Sequence, residues 1–169
     1  MVQWIGIVIV IAGCGGVGLK MAMQSRQQEQ NLNSLIAALG EMENELEFRM
    51  PALPELCRSA AKQAGGPIGQ LLLALAEALG RQAAPNVSTC MEHLLEDREE
   101  MDPELQKLLR LLGTSLGRFD LTGQLAGLNS LKQQTQQALN RHVEGQPERV
   151  RSYQTLGLCA GAALAILLI

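Results

Sequence analysis

Apolar residues run from Val2 to Leu19 without a charge, and then the pattern changes. Leu32, Leu35, Ile36, Leu39, Met42, Leu46 and Met50 recur at spacings of three and four, the period of an amphipathic helix with one face turned to a core. That helix is expected from about Arg26 to Met50. Pro51 and Pro54 stop it, and Pro54 can open a second helix toward Ala64. Gly65, Gly66 and Pro67 make a joint before a third, which ends at Gly80 as a C-cap would. Asn86 or Ser88 can cap a fourth through Glu96. Asp102 caps a fifth with Pro103 in its first turn and Leu105, Leu108, Leu109 and Leu112 as its stripe. Gly113 and Gly117 loosen the chain before Asp120, which can cap a sixth helix carrying Leu121, Leu125, Leu128, Leu131 and Leu139. No segment alternates with period two, so the fold expected is all-α, a six-helix bundle.

The two ends are of another kind. All 14 Lys and Arg and all 17 Asp and Glu lie between Lys20 and Arg151. The first run is about as long as a helix needs to span a hydrocarbon core of about 30 Å. Within it GCGGVG, Gly13 to Gly18, satisfies G-x-G-x-x-G, but a helical stripe follows in place of a βαβ unit, and no acid stands at Asn33 to Gly40 to take a ribose. A dinucleotide site is therefore rejected in favour of a transmembrane helix. Its Ala12 and Gly16, and likewise Cys14 and Gly18, would let another helix approach closely. The closing run, Leu156 to Ile169, would make about 21 Å of helix, or about 25 Å counted from Tyr153, with Arg149 and Arg151 reaching the interface. Gly157 and Gly161 form a GxxxG on its packing face. A buried C-terminal helix is the alternative. The expected division is residues 1–23 as transmembrane helix 1, residues 24–148 as the bundle, and residues 149–169 as transmembrane helix 2. Lys20, Arg26, Arg141, Arg149 and Arg151 flank the spans on their inner sides, so the positive-inside rule puts the central domain in the cytoplasm. The first run lacks the basic n-region of a signal peptide.

Composition narrows the chemistry. Aromatics are 2% of the 169 residues, so Leu, Ala, Ile, Val and Met must build the core. A net charge of −3 and four aromatics provide neither a basic stripe nor a stacking platform, which speaks against nucleic acid. Cys14 and Cys159 read as small packing residues in the spans, and Cys57 and Cys90 as thiols in a reducing compartment. Cys90 and His93 with Cys57 could be imagined on zinc, but no C-x-x-C pair or second nearby histidine supports it. No catalytic spacing is present, so no enzyme, metal or cofactor is expected.

Two pieces of sequence carry a resemblance. ELEFRMPALPEL, Glu45 to Leu56, and LGTSLGRFDLTGQ, Leu112 to Gln124, lie between the uncharged ends, and the second holds an L-G-x-x-D-x-x-x-Q spacing in Leu116, Gly117, Asp120 and Gln124. Together with LGLCAGAALAILLI at the C-terminus they resemble the stage III sporulation protein AB family over nearly the whole chain. The resemblance implies a protein of endospore-forming bacteria in the mother-cell membrane around the forespore. Its helical domain would be similar to the cytoplasmic domain of type II secretion F platform proteins. It implies help in assembling a mother-cell-to-forespore channel, with a secretion-type ATPase, other membrane subunits and the lipid bilayer as partners, and a homo- or hetero-oligomeric state. Two departures stand out: Met91 where a tryptophan is expected, and GQP at Gly145 to Pro147 where a continuous final helix is expected.

The residues alone lead to a less specific version. Glu92, Glu96, Asp97, Glu99, Glu100, Asp102 and Glu104 concentrate negative charge, and Glu96, Asp97, Glu99 and Glu100 are candidates to dock a cytosolic partner. A solvated loop explains the same run. Glu41, Glu43, Glu45 and Glu47 would repel at spacings of four, so Arg49 or another base is expected near them. Asp120 has a sufficient explanation as an N-cap, with Gln124 one turn on. A membrane-anchored helical adaptor or regulator unrelated to secretion machinery is the alternative function.

Overall fold

The computed structural model describes the backbone of residues 2–168 apart from 83, 99, 118 and 119, and the side chains of residues 23–144 apart from the same four positions. Among the described residues six helices follow one another: α1 Val2–Phe48, α2 Leu53–Ala64, α3 Gly66–Gly80, α4 Val87–Glu96, α5 Pro103–Ser115 and α6 Leu121–Leu168. Among the described residues there is no strand. The all-helical expectation holds.

Two boundaries differ from the sequence reading. α1 joins the uncharged N-terminal run to the amphipathic stripe, because nothing between Met21 and Asn31 removes a donor or relaxes the backbone. α6 continues through Gly145–Pro147, so the final helix is continuous as the family resemblance implies, despite the glycine and proline that would interrupt it. A proline inside a helix costs about 3 kcal/mol through one lost donor and a crowded carbonyl, and a helix hydrogen-bonded on both sides can carry that locally.

The chain divides into two compact units, Gln30–Asn140 and a second that combines Met1–Glu29 with Arg141–Ile169. In the second, His142 Nε2 lies 3.1 Å from the Ser25 hydroxyl and 3.2 Å from the Ser25 carbonyl oxygen, which ties α6 to α1. Among the described residues no helix is long and apolar enough to cross a membrane. The side chains of both uncharged runs, with Ala12, Gly16, Gly157 and Gly161, lie outside the described residues.

The core of Gln30–Asn140 is made by the stripes. Leu32, Leu35, Leu39, Met42 and Leu46 of α1 are buried together with Leu56, Cys57, Ala60 and Ala61 of α2, Ile68, Leu71, Leu72 and Leu75 of α3, Leu105, Leu108, Leu109 and Leu112 of α5, and Leu128 and Leu131 of α6. Leu121 and Leu125 pack against this core while half-buried. Met50 departs from the expectation and stands 63% exposed, because α1 has already ended at Phe48.

Short-range chemistry sets the stops. Asn86, not Ser88, caps α4, its Oδ1 accepting from Thr89 N at 2.8 Å. Asp102 accepts from the amides of Glu104 and Leu105 at 2.9 and 3.2 Å, and Asp120 from Gly123 N at 3.1 Å. Each such cap is worth about 1 kcal/mol. α3 runs through Gly80 and closes at Arg81 instead. α2 and α3 fold back on one another about Gly65, whose φ of 62° suits glycine. α1 and α6 are joined by an ion pair, Lys132 Nζ to Glu43 Oε2 at 2.5 Å.

Candidate functional site

The end of α1 is built in an unusual way. The amides of Arg49 and Met50 both donate to the Glu45 carbonyl at 2.9 Å, so one acceptor serves an i−4 and an i−5 bond and the last turn is widened. Met50 itself stands at φ 45°, in the left-handed region where glycine is the common choice. A non-glycine side chain there costs about 1–2 kcal/mol. Pro51 follows at once, so the chain leaves the helix without an alternative hydrogen-bonded path. The consequence is a corner with Phe48 79% and Met50 63% exposed.

Beside this corner lies an open groove of about 490 Å³ lined by Glu45 of α1, by Arg49 just past its end, and from α2 by Glu55, Arg58, Ser59 and Lys62. Arg49 sits 3.5 Å from Glu45 and is itself 75% exposed, so the pair contributes little to stability. Ser59 donates to Glu41 at 2.9 Å. Arg58 and Lys62 are exposed, one turn apart, and form no hydrogen bond or ion pair among the described residues.

These contacts also show how the run of glutamates is accommodated. Glu41 takes a hydroxyl, Glu43 takes Lys132 and Glu45 takes Arg49. The base expected nearby proves to be two bases, one of them from α6. The second oxygen of Glu43 is buried without a hydrogen-bond partner among the described residues, so this carboxylate depends on Lys132.

The L-G-x-x-D-x-x-x-Q residues take structural places. Leu116 is buried, and Gly117 sits at φ 78°. A Cβ on Gly117 would stand 3.2 Å from Leu53 Cδ1 and 3.3 Å from Val87 Cγ2. The fold therefore brings this piece against Leu53, within the other recognised piece. Asp120 caps α6, its carbonyl also accepting from Gln124 N at 2.9 Å, and Gln124 is half-buried. Met91, in the place of the expected tryptophan, is fully buried with its Cβ against the backbone of Gly113.

The acidic candidates lie where α4 hands over to α5. Glu96, Asp97 and Glu100 are exposed, and Glu99 lies outside the described residues. Glu96 is 3.4 Å from His93 Nδ1. Arg98, in the middle of the run, turns away to donate to the Pro67 carbonyl at 3.4 Å. The Gln106 amide donates to the carbonyls of Arg98 and Met101, both at 3.2 Å, so the connection is tied down by its own α5. Asp97 and Glu100 make no ion pair among the described residues.

The thiols belong to the core. Cys57 and Cys90 are buried, whereas His93 stands in water, and no three His, Cys, Asp or Glu side chains gather as metal ligands among the described residues. Burial pushes the Cys57 thiol up to about 12, against the opposing pull of Arg58. Such a thiol is neutral and unreactive. Because the folded value lies above the unfolded one, its contribution is complete below about pH 8.5 and is lost as pH rises toward 12. Unfolding in denaturant at pH 7.5 and pH 10 should therefore show a larger loss of stability in the wild type than in Cys57→Ala, at up to about 1.4 kcal/mol per pH unit.

Of these features, sequence reasoning missed the Phe48 corner. A signal was present: the buried spacing of Leu39, Met42 and Leu46 ends there, and Phe48, one of two phenylalanines in the chain, stands off that stripe.

Comparison with known proteins agrees with the architecture. The curated stage III sporulation protein AB of Bacillus subtilis (strain 168) is 22% identical over 171 residues, covering 99% of each chain. A solved structure of a stage III sporulation protein AB matches with a TM-score of 0.64 at 19% identity, over 72% of this chain and 98% of that one, and so shares its fold. The family model described as stage III sporulation protein AB matches residues 3–169, the helical bundle and both uncharged ends together, and the chain belongs to that family.

Proposed function

We propose that this chain is a non-enzymatic platform of a secretion-like channel between mother cell and forespore, anchored in the mother-cell membrane by its two ends with the bundle in the cytoplasm. The observation that carries the reading is the family match over residues 3–169, which spans a charged helical unit and the two uncharged runs on either side of it. The runs suit a bilayer, and Ala12, Gly16, Gly157 and Gly161 would serve as close-packing positions there. The bundle then faces cytosolic partners, among which a secretion-type ATPase fits the family's resemblance to secretion platforms. Its dock would be the acidic α4–α5 connection, whose Glu96, Asp97 and Glu100 stand in water on a backbone held by Gln106.

The test is binding of that ATPase to the full-length chain, immobilised in detergent at low density so that copies do not meet. Changing Glu96, Asp97, Glu99 and Glu100 together to Lys should weaken binding at least about tenfold. It should also abolish the loss of affinity with rising salt, since surface attraction is screened over about 8 Å at physiological ionic strength. Stability should change by no more than about 0.5 kcal/mol per site, because Glu96, Asp97 and Glu100 are exposed and lie outside the core. Equal affinity of both proteins at both salt concentrations would remove the acidic connection from the reading.

A further inference from the structure

We propose that the groove at the α1–α2 corner receives the acidic α4–α5 connection of a second copy of this chain. One side of the contact is the corner itself. Phe48 and Met50 are large apolar side chains left in water beside a groove of about 490 Å³. Exposed aromatics of this kind, set in a polar surround, are the usual anchors of protein contacts. The groove wall presents Arg58 and Lys62, two cations that form no ion pair among the described residues and outnumber Glu55, the one lining carboxylate not paired with Arg49. Several other cations of the same unit are engaged: Arg49 with Glu45, Arg81 with Glu77, Lys132 with Glu43, and Arg98 with the Pro67 carbonyl; Lys107 on α5 is exposed like Arg58 and Lys62 but does not line the groove.

The other side is on the same chain. Asp97 and Glu100 are exposed carboxylates without a cation among the described residues, and half-exposed Leu94 and Met101 flank them. Within one copy the two surfaces form no ion pair among the described residues, which leaves both open to a second copy. Because the two surfaces differ, the contact is head-to-tail and leaves a free groove at one end of a pair and a free acidic connection at the other. Such contacts propagate into rings or rows of copies. On any one copy the contact and the ATPase dock proposed above exclude each other.

The experiment uses the full-length chain in detergent and measures its mass by light scattering over a range of concentrations. Two variants are needed, Arg58→Glu with Lys62→Glu, and Asp97→Lys with Glu100→Lys. All four side chains are exposed, and unchanged thermal melts would show that both variants fold. The wild type should associate with concentration and less so in high salt. Each variant alone should associate at least about tenfold more weakly. An equal mixture of the two should associate again, since the intact groove meets the intact acidic connection and the two reversed surfaces also complement one another. Phe48→Ser should weaken association without changing the salt dependence. A wild type that stays monomeric, variants that associate as the wild type does, or a mixture that stays monomeric would each overturn the proposal. No ATPase is present, so such a failure leaves the ATPase reading standing.

Discussion

Gly69→Ala is expected to destabilise the bundle by about 1–2 kcal/mol, although the same change in an open helix would stabilise it. An alanine in a helix interior gains up to about 1 kcal/mol over glycine in backbone entropy. At Gly69 a Cβ would stand 2.7 Å from the Ala61 carbonyl oxygen, which already accepts from the Gly65 amide at 3.1 Å. That oxygen is backbone, held by its own helix, so it cannot rotate away. α2 and α3 must separate, and the buried contacts of Leu56, Ala60, Ile68 and Leu72 loosen with them. Forcing extra atoms into a packed core costs about 1–3 kcal/mol and sometimes more, which outweighs the entropic gain. Gly40→Ala is the matched control. A Cβ there meets Lys132 Nζ at 3.8 Å, an ordinary contact with the end of a flexible side chain. It should be neutral or stabilising by up to about 1 kcal/mol. Denaturant unfolding of both variants measures the contrast, and equal effects of the two would contradict the close α2–α3 crossing.

Gly117→Ala should cost about 2 kcal/mol or more, for a different reason. Its φ of 78° is closed to most side chains, and an L-residue placed there loses about 1–2 kcal/mol. The new Cβ would also press on Leu53 Cδ1 at 3.2 Å and Val87 Cγ2 at 3.3 Å. Those are methyl groups at the ends of side chains, so part of the pressure can relax. Asparagine tolerates the left-handed region better than alanine, so Gly117→Asn should be the less damaging of the two and isolate the backbone share. Unfolding midpoints of the two variants make the comparison. If alanine and asparagine were both neutral, the turn would be free to move, and the pairing of Gly117 with Asp120 would need an explanation outside the fold.

Most of the helical plan was legible in the sequence because it rests on neighbours in the chain. The stripes of α1, α5 and α6, the prolines after Phe48 and before Glu104, and the caps at Asp102 and Asp120 all act within a few residues. The α4 start was narrowed to two residues, and only the amide geometry chose Asn86. The candidate acidic site was equally visible, since a run of carboxylates between two helices must find water. The L-G-x-x-D-x-x-x-Q residues could be recognised without their roles being separable.

What tertiary structure decided were the facts that depend on where a distant segment arrives. Met50 continues the α1 stripe by spacing yet lies in water, because α1 ends at Phe48 and no neighbouring helix reaches far enough to cover it. Glu43 and Lys132 are 89 residues apart, and no periodicity announces that they meet. Gly69 reads as an ordinary weak point in a helix until Ala61 is placed against it. Periodicity states which face of a helix is apolar. It does not state how far along that face the neighbouring helix extends, and that limit places the exposed corner of Phe48 and Met50 beside the unpaired cations of α2.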